Sequence, residues 1–413
     1  MRAIIAAACL TLLLAGCSAD GAEPTTAPTA TAPVLGDGVL TVGTLFPSTG
    51  ASAFIGPAQS AGVAVAIAEI NEAGGVNGKP VQLVVRDSGE AATTLLETSF
   101  SELVDKDVDV VIGPSSSVLA QRVVPLAVAA GIPLISPAAT FPQLTALGDH
   151  GLFFRTIPAY GEQGFALGKA LSEGGPVTVA LLYIDDEFGA ALAPTLTDSV
   201  AAEGSELVLS EAIPPTTTDL APVIAKLVAA APDAVVLGST YASVDATKAL
   251  VSAVVAAGFG GTKLWLTTQN TGDYSQALPG GTLTGVNGII EGAVPDDAFI
   301  ARLKGVDGSL AAFRYATEAY DATVLAALAA EVAGDDAGSA VAASLGPVST
   351  RGIKCTSFEE CLGVLKTQDD IDYDGLSGPL NFTPEGDVSP AYYGIYSYDG
   401  ENRFAFRRGI VAG

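Results

Sequence analysis

The amino-acid sequence predicts an α/β fold of two doubly wound parallel-sheet lobes, one following the other along the chain. From Val39 onward, short β-branched runs alternate with amphipathic stretches, which is typical of parallel strands covered by helices on both faces. The alternation begins again after residues 153–158. The chain beyond residue 38 has about 375 residues, more than one hydrophobic core usually supports. We therefore expect two lobes of the same architecture.

The individual elements follow from this alternation in chain order. The first lobe is predicted as strand 40–46, helix 58–72, strand 81–86, helix 92–105, strand 108–112, helix 117–130 and strand 133–136. The second is predicted as helix 162–172, strand 177–184, helix 190–202, strand 206–211, helix 220–230, strand 234–237, helix 244–257 and strand 263–267. The patterns also predict a long helix, 309–333, and tail strands at 378–382, 392–398 and 404–411, without assigning them to a lobe.

The N-terminus has the features of a secretory signal, at residues 1–16. Arg2 precedes an apolar stretch, and the stretch ends in Leu-Ala-Gly-Cys at Cys17. That tetrad resembles the bacterial lipobox, which implies cleavage before Cys17 and a lipid on its thiol. The apolar run is shorter than the roughly 20 residues of a spanning helix, although an uncleaved anchor or an ordinary signal is the alternative. Residues 17–38, rich in Ala, Thr and Pro, are expected to be a flexible linker.

The charge of the chain narrows the range of partners. Asp and Glu number 45 against 19 Lys and Arg, which gives a formal net charge of −26. Nucleic acid is excluded as a partner, because its phosphates require a basic surface. No segment after the signal has the length and apolar character of a membrane span, so lipid on Cys17 would be the contact with the membrane.

Two of the four cysteines are expected to pair. Cys9 would leave with the signal and Cys17 would carry lipid, so Cys355 and Cys361 remain in an extracytoplasmic, oxidising compartment. Six residues along a continuous helix would separate their α-carbons by about 9 Å, but a disulfide needs less than about 7 Å. A helix must therefore begin between them, and the capping box at residues 357–360 supplies that start. Two free thiols are the alternative.

Three loops of the first lobe carry small polar residues where strands lead into helices. In open parallel sheets, ligands bind beyond the carboxyl ends of the strands. The loops at 48–56, 113–117 and 137–140 lie there, and helix N-termini suit an anion. Helix capping alone is the other interpretation, since serine is a preferred N-cap. Two adjacent loops together favour a carboxylate site, for which the hydroxyls are Ser115, Ser116, Ser117 and Thr140.

Seven motifs follow one another in the chain: "GTLFPSTG", "GGVNGKPVQLVVRDSG", "VIGPSSS", "IPLISPAAT", "RTIPAYGEQG", "YIDDEFGAAL" and "SGPLNFTPEGD". In order and spacing, this set resembles the leucine/isoleucine/valine-binding proteins, the substrate-binding components of branched-chain amino-acid ABC importers. The resemblance covers the chain from Val39 to the C-terminus.

The resemblance implies a type I periplasmic-binding-protein fold, in which three crossovers join the lobes and the cleft closes on an amino acid. We expect the crossovers near residues 156–159, 287–292 and 378–381. The implied lobes are residues 39–157 plus 290–378 for the N-terminal lobe and residues 158–289 plus 379–413 for the C-terminal lobe.

The same resemblance implies the ligand-binding residues. The ligand carboxylate would be held by Ser117, shared with Ser116, and by the loop containing Ala138, Ala139 and Thr140. The remaining implied positions are Ile55, Phe188, Tyr241 and Gln269.

Two positions depart from the family pattern. Phe188 stands where a tyrosine is common, so this ring can pack but has no hydroxyl to donate. Gln269 stands where the family has an acidic partner for the ligand ammonium, and burying an unpaired ammonium is costly. One interpretation is that an acid elsewhere balances the ammonium; the other is an amine-free ligand, such as an amide, a urea-like molecule or a keto acid. The candidate acids are Asp185, Asp245 and Asp273.

One acidic run partly matches a calcium loop. Asp370, Asp372, Asp374 and Gly375 fit its first half, but Asn381 stands where a bidentate glutamate is required. We therefore predict no metal site.

The sequence predicts a binding protein and not an enzyme. His150 is the single histidine, and neither a Gly-x-Ser-x-Gly elbow nor a phosphate-binding loop occurs. We expect an extracytoplasmic solute-binding receptor, lipid-anchored to the outer face of the cell membrane, monomeric and without a cofactor. It would capture a small polar solute, a branched-chain or related amino acid, and deliver it to an ABC permease. The alternatives are a ligand-sensing lipoprotein, or a receptor for an amide, urea-like or keto-acid ligand.

Overall fold

The computed structural model describes residues 35–50, 52–239, 244–368 and 370–413. The predicted signal peptide, Cys17 and most of the predicted linker lie outside these ranges. Within them, no helix combines the length and the apolar character needed to cross a bilayer.

The first sheet is parallel throughout. Its strands are β1 Thr41–Phe46, β2 Gln82–Asp87, β3 Val110–Ile112, β4 Leu134–Ser136 and β5 Phe153–Arg155. They lie in the order β2-β1-β3-β4-β5. Every residue of the four strands other than the edge strand β2 is buried, which explains their nearly continuous apolar sequences. The predicted strands of this lobe agree with β1 to β4 to within two residues.

Three helices connect these strands: α1 Gly56–Glu72, α2 Leu95–Val104 and α3 Ser117–Ala130. The bounds of α3 are the predicted ones, because its ends carry strong local signals. The Ser116 side chain accepts a hydrogen bond from the Leu119 N–H at the start, and Gly131 ends the helix in the left-handed region at φ +71°.

The second sheet continues the parallel pattern. Its first strands are β6 Thr178–Ile184, β7 Glu206–Ile213, β8 Ala234–Gly238, β9 Leu264–Leu266 and β10 Asn287–Glu291. Its helices are α4 Gln163–Ser172, α5 Glu187–Ala202, α6 Ala221–Ala230 and α7 Val244–Val254. Leu181 of β6 shares a core with α4 and α5, and the next residue, Leu182, shares one with α6 and α7. Helices therefore cover both faces, as predicted.

Helix α7 is shorter than predicted. Its α-helical part ends at Val254, and a π-helical turn, Val255–Phe259, follows. Gly258 in that turn has φ +89°, a left-handed conformation that an α-helix cannot continue through.

Four helices are described in the part of the chain that follows β10: α8 Asp297–Val306, α9 Ala316–Ala333, α10 Gly338–Val348 and α11 Phe358–Leu365. The predicted start of the long helix at residue 309 was wrong, because Tyr315 precedes α9 with φ +63° and breaks any helix that would run through it. Helices α8, α9 and α11 pack on α1, and α10 packs on α9.

A small sheet holds the predicted disulfide. Its strands are β11 Ile353–Cys355, β12 Ile371–Gly375 and β13 Gly378–Pro379. Cys355 and Cys361 are bonded, with their α-carbons 5.2 Å apart. Helix α11 begins between them, and its cap residue Ser357 accepts a hydrogen bond from the Glu360 N–H at 3.2 Å. The Glu360 carboxylate reaches the Thr356 N–H at 2.8 Å and completes the cap.

The last two strands, β14 Ala391–Tyr398 and β15 Phe404–Ala412, complete the second sheet. Its order is β15-β14-β10-β9-β8-β6-β7, and β14 is antiparallel to both β10 and β15. A short turn joins β14 to β15, and strands joined in this way can pair only antiparallel.

The first turns of α9 contact or border all three predicted crossovers. The Thr156 hydroxyl donates to the Glu318 carbonyl at 2.8 Å, and the Ala293 N–H donates to the Glu318 carboxylate at 2.7 Å. One turn further on, the Asp321 carboxylate accepts from the Ser377 N–H at 2.6 Å. Both acidic side chains are buried, so one helix end connects the segments that pass between the sheets.

Burial of Glu318 predicts a dependence of stability on pH. Burial raises the pKa of Glu318 to about 7, whereas an unfolded glutamate titrates near 4.3. Between these values the folded state binds more protons than the unfolded state, so the free energy of unfolding must fall as the pH rises. Urea unfolding measures this fall in the free energy of unfolding between pH 5 and pH 7.5. The fall should be smaller in Glu318→Gln than in the unsubstituted protein, by on the order of 2–3 kcal/mol.

Comparing the pH dependence of the free energy of unfolding between variant and unsubstituted protein isolates the contribution of the Glu318 carboxyl group. Burial also raises the pKa of Asp109 to about 7, so the variant should retain part of the pH dependence. Glu102→Gln, at an exposed carboxylate, is the control and should keep the whole of it. If the free energy of unfolding changes equally with pH in Glu318→Gln and in the unsubstituted protein, Glu318 does not hold a proton at neutral pH.

Candidate functional site

The candidate site lies at the carboxyl edge of the first sheet. Because β1, β2, β3 and β4 are parallel, the loops that follow them emerge on the same side. Gly113, directly after β3, has φ +119°, and a Cβ there would lie 2.5 Å from the Leu45 carbonyl oxygen. A glycine is therefore required for the loop to pass this close to β1.

Ser117 and Thr140, the two hydroxyl residues assigned to the carboxylate, come from different loops and are in contact. The Ser117 Oγ accepts from the Thr140 N–H at 3.0 Å and from the Phe141 N–H at 3.2 Å. Both hydroxyl residues are buried. Two backbone N–H groups of the loop after β4 therefore lie at the first turn of α3, each bonded to the Ser117 side chain.

Ser136 fixes the loop that carries Ala138 and Ala139. Its hydroxyl donates to the Pro114 carbonyl at 2.7 Å and accepts from the Ala139 N–H at 3.0 Å and the Ala138 N–H at 3.4 Å. The four consecutive N–H groups of this loop, from Ala138 to Phe141, thus all bond to serine side chains of the first lobe, the first two to Ser136 and the last two to Ser117. Nothing in the sequence alone indicated this role of Ser136.

Arg155 also binds this loop, a role that was not predicted from the sequence. Its buried guanidinium donates to the Phe141 carbonyl at 2.9 Å and to the Ala139 carbonyl at 3.2 Å. It also forms an ion pair with Asp387 and donates to Thr145 Oγ1 at 2.7 Å. A charged residue at the end of an otherwise apolar strand was the signal in the sequence, since a buried charge requires a partner.

Phe188 brings the second lobe against this loop. Helix α5 begins beside it, where the Asp186 carboxylate accepts from the Phe188 N–H at 3.1 Å. The Phe188 ring lies edge-on to Phe141, with centroids 5.1 Å apart, and edge-on to Tyr160 at 4.9 Å. Next to it, the Gln143 amide donates to the Glu187 carboxylate at 2.7 Å. Aromatic packing therefore replaces the hydroxyl contact that a tyrosine would supply here.

Among the described residues, Gln269 makes no hydrogen bond or ion pair with the first lobe. It is half-buried in the short 3₁₀ turn Thr268–Asn270, which follows β9. The Thr268 N–H donates to Gln163 at 3.1 Å, and the Asn270 amide donates to Ser239 at 2.7 Å. Those contacts anchor the turn within the second lobe. Tyr241 lies outside the described residues.

The acids considered as partners for a ligand ammonium are all exposed. The Asp245 side chain is 98% exposed and pairs with Lys248 at 3.2 Å. Asp273 accepts from the Ser275 N–H at 2.8 Å, and this hydrogen bond lowers its pKa. Asp185 makes no described contact with the first lobe. None of these three acids is buried in this structure.

The acidic run that resembled a calcium loop is balanced by a lysine. Lys354 lies 2.9 Å from Asp372 and 2.9 Å from Asp374. Among the residues that the structure describes, no group of three or more His, Cys, Asp or Glu side chains is arranged to hold a metal ion.

A cavity of about 480 Å³ lies between the loops that follow β1, β2 and β3. Ile55 and Ser116, two of the implied ligand positions, line it together with Glu90 and Ser115. The Ser115 hydroxyl donates to the buried Gln59 side chain at 2.6 Å, which fixes this wall of the cavity.

Two α/β lobes, with polar loops at the edge of one and an aromatic side chain reaching across from the other, define a solute-binding protein. The chain belongs to the periplasmic binding protein family, whose profile matches residues 39–390.

Two curated proteins and one solved structure illustrate the range of similarity. The leucine-, isoleucine-, valine-, threonine- and alanine-binding protein of Pseudomonas aeruginosa is 31% identical over 182 residues, which is 44% of this chain and 48% of that protein. The chain thus covers about half the length of this relative. The chemotactic signal transduction system substrate-binding protein BasB of Halobacterium salinarum is 26% identical over 360 residues, 83% of each chain. A crystal structure described as a branched-chain amino acid ABC transporter, from Rhodospirillum rubrum, superposes with a TM-score of 0.67 at 20% identity, covering 89% of this chain and 99% of that one.

Proposed function

We propose that the protein is an extracytoplasmic receptor that binds a branched-chain or related amino acid between two lobes and delivers it to an ABC permease. The observation that carries the proposal is the contact between Ser117 and Thr140, where backbone donors converge at the start of α3. The ligands named for the Pseudomonas relative support the same ligand class. The protein would act by binding and not by catalysis, as solute-binding proteins of this family do.

The proposed mechanism is closure of the two lobes around the ligand. The lobes would be residues 39–157 plus 290–378 and residues 158–289 plus 379–413, turning about the three crossovers. The ligand would bind the first lobe, and closure would bring Phe188, Tyr241 and Gln269 over it. Lipid on Cys17 would tether the receptor, as a monomer, to the outer face of the cell membrane.

Removing the two hydroxyl residues should abolish most of the affinity. A ligand at a hundred times its dissociation constant stabilises the folded state by about 2.7 kcal/mol. We expect Ser117→Ala and Thr140→Ala to lose most of the thermal shift that the ligand gives to residues 38–413. The measurement is thermal unfolding against leucine, isoleucine, valine, their keto acids, amides and urea.

The control is Thr197→Ala, at an exposed threonine on α5. Each variant is compared with its own ligand-free unfolding temperature, because Ser117→Ala also removes two internal hydrogen bonds. If Ser117→Ala and Thr140→Ala both keep the full ligand-induced shift in unfolding temperature, the site assignment is wrong.

A sensing role is the second candidate, and the similarity to BasB over most of both chains favours it. Uptake and chemotactic response can be measured in cells that lack this protein. Loss of labelled amino-acid uptake indicates transport, whereas normal uptake with a lost chemotactic response indicates sensing.

A further inference from the structure

Side chains of the loop after β4 contact the start of α5, so the two lobes touch at a place other than the crossovers. The rings of Phe141 and Phe188 lie edge-on to each other, with centroids 5.1 Å apart. Two residues beyond Phe141, the Gln143 amide donates to the Glu187 carboxylate at 2.7 Å. Phe141 and Gln143 follow a strand of the first sheet, whereas Glu187 and Phe188 begin a helix that packs on the second. We call these four side chains the rim contact.

The rim contact is connected to the proposed carboxylate site through the backbone of Phe141. The Phe141 N–H donates to the Ser117 Oγ at 3.2 Å, and the Phe141 carbonyl accepts from Arg155 at 2.9 Å. The preceding residue, Thr140, donates its N–H to the same Ser117 oxygen at 3.0 Å. The Phe141 ring is therefore held one residue away from Thr140, and the Phe188 ring reaches it only when the two lobes are together.

The polar half of the rim contact is exposed, and the charge around it has one sign. Gln143 and Glu187 are both exposed, so substitutions there leave the buried cores intact. Glu187 follows Asp185 and Asp186 in the chain, which makes the start of α5 acidic. The facing segment, residues 141–146, contains no charged residue. A charge introduced at position 143 would therefore act on the acidic start of α5 and not on its own loop.

We propose that the rim contact is a latch that keeps the two lobes closed and sets the rate at which a bound solute leaves. The proposal rests on the proposed function, since it takes the solute to be held at Ser117 and Thr140 and enclosed between the lobes. An enclosed solute can leave only after the two rings separate and the hydrogen bond between Gln143 and Glu187 breaks. Because the rim contact forms after the solute has entered, it changes the rate of dissociation and not the rate of association.

The first test changes the charge at position 143, which is not among the residues assigned to the ligand. Gln143→Lys should pair with Glu187 and slow dissociation by about two- to fivefold, the effect expected of an exposed ion pair. Gln143→Glu should place a like charge against Glu187 and speed dissociation by a similar factor. The dissociation rate is measured as the loss of labelled leucine from the protein after dilution into excess unlabelled leucine. Calorimetric titration gives the dissociation constant, from which the association rate follows and should be unchanged.

Matched variants separate the latch from a general effect of charge. Gln82→Lys and Gln82→Glu make the same changes at an exposed glutamine at the start of β2, and both should leave the dissociation rate unchanged. Adding Glu187→Gln to Gln143→Lys should remove the slowing, because the new ion pair is lost. The difference between Gln143→Lys and Gln143→Glu should shrink in 1 M salt, where the screening length is about 3 Å.

The second test removes the aromatic pair. Phe141→Leu keeps an apolar side chain but loses the edge-on ring contact, so dissociation should be about two- to tenfold faster. Phe188→Leu should have a similar effect, and the double variant should dissociate no faster than the product of a single loss, because both substitutions remove the same contact. Unfolding temperatures without ligand show whether each variant is folded.

The outcomes distinguish failure of the latch from failure of the proposed function. If Ser117→Ala and Thr140→Ala lose binding while the variants at positions 141 and 143 keep the original dissociation rate, the carboxylate site is correct and the latch is wrong. A change in the association rate alone also overturns the latch.

A measurement without ligand keeps the latch testable if leucine does not bind. In that case the proposed ligand class is wrong, and small-angle X-ray scattering decides on the latch. The radius of gyration should be larger for Gln143→Glu than for Gln143→Lys, because the like charge favours open lobes. Equal radii for these two variants would overturn the proposal.

Discussion

Replacing Arg155 by methionine should lower the free energy of unfolding by about 3–5 kcal/mol, the range measured when one partner of a buried ion pair is removed. The Arg155 side chain is fully buried, and its partner Asp387 is 11% exposed. Without the guanidinium, the Asp387 carboxylate loses its ion-pair partner inside the fold, and the carbonyls of Ala139 and Phe141 lose a donor. The cost comes mainly from those stranded polar groups.

The effect should extend to the ligand site, since the two carbonyls flank Thr140. Urea unfolding gives the stability of Arg155→Met, and titration with leucine gives its affinity for ligand. Arg403→Met is the control, because Arg403 and its partner Glu401 are exposed and such pairs contribute about 0–1 kcal/mol.

A double variant separates charge from packing. If the loss in Arg155→Met comes from an unpaired Asp387, then Arg155→Met combined with Asp387→Leu should recover much of the stability. A loss below about 1 kcal/mol in the single variant would mean that Asp387 is readily solvated or protonated, and that Arg155 does not hold the ligand loop.

The elements with strong local signals were predicted well from the sequence. Helix α3 has a serine at its start and a glycine at its end, and both bounds are correct. The disulfide was predicted from helix geometry and a capping box within one short segment, 355–361, and the structure contains it. In each case, the deciding interactions are between residues close in sequence.

Features that depend on distant residues were missed. Arg155 and Asp387 are 232 residues apart, so neither position alone reveals the ion pair. The start of α9 was placed seven residues too early, because the amphipathic pattern did not reveal the left-handed backbone of Tyr315. In the site, the contact between Ser117 and Thr140 follows from adjacent parallel strands. The participation of Ser136 could be recognised only from the positions of the loops in space.

A second large effect is expected at Asp321, one turn beyond Glu318 on α9. Its buried carboxylate accepts hydrogen bonds from the Tyr373 hydroxyl at 2.7 Å and the Leu376 N–H at 3.0 Å on one oxygen. The other oxygen accepts from the Ser377 N–H at 2.6 Å and the Ser377 hydroxyl at 2.5 Å. Burial raises the pKa of Asp321, and these donors oppose that rise.

Asp321→Asn should lower the free energy of unfolding by about 3 kcal/mol. An amide keeps the size of the side chain but replaces one accepting oxygen with a donating NH₂ group. Whichever way the amide turns, two donors then face a third donor inside the fold, and at least one of them loses its partner. Urea unfolding measures the loss. Asp374→Asn is the control, because Asp374 follows Tyr373 on β12 and its partly exposed side chain pairs with Lys354.

Amide hydrogen exchange distinguishes a loosened crossover from general destabilisation. Leu376 and Ser377 lie just before the third predicted crossover, so their amides should lose protection more than those of β1, in the core of the first sheet. If the amides of β1 lose as much protection as those of Leu376 and Ser377, Asp321 contributes only to the stability of the first lobe. Unchanged protection at both amides would show that Asp321 does not anchor the crossover, and that α9 does not hold the lobes together at this point.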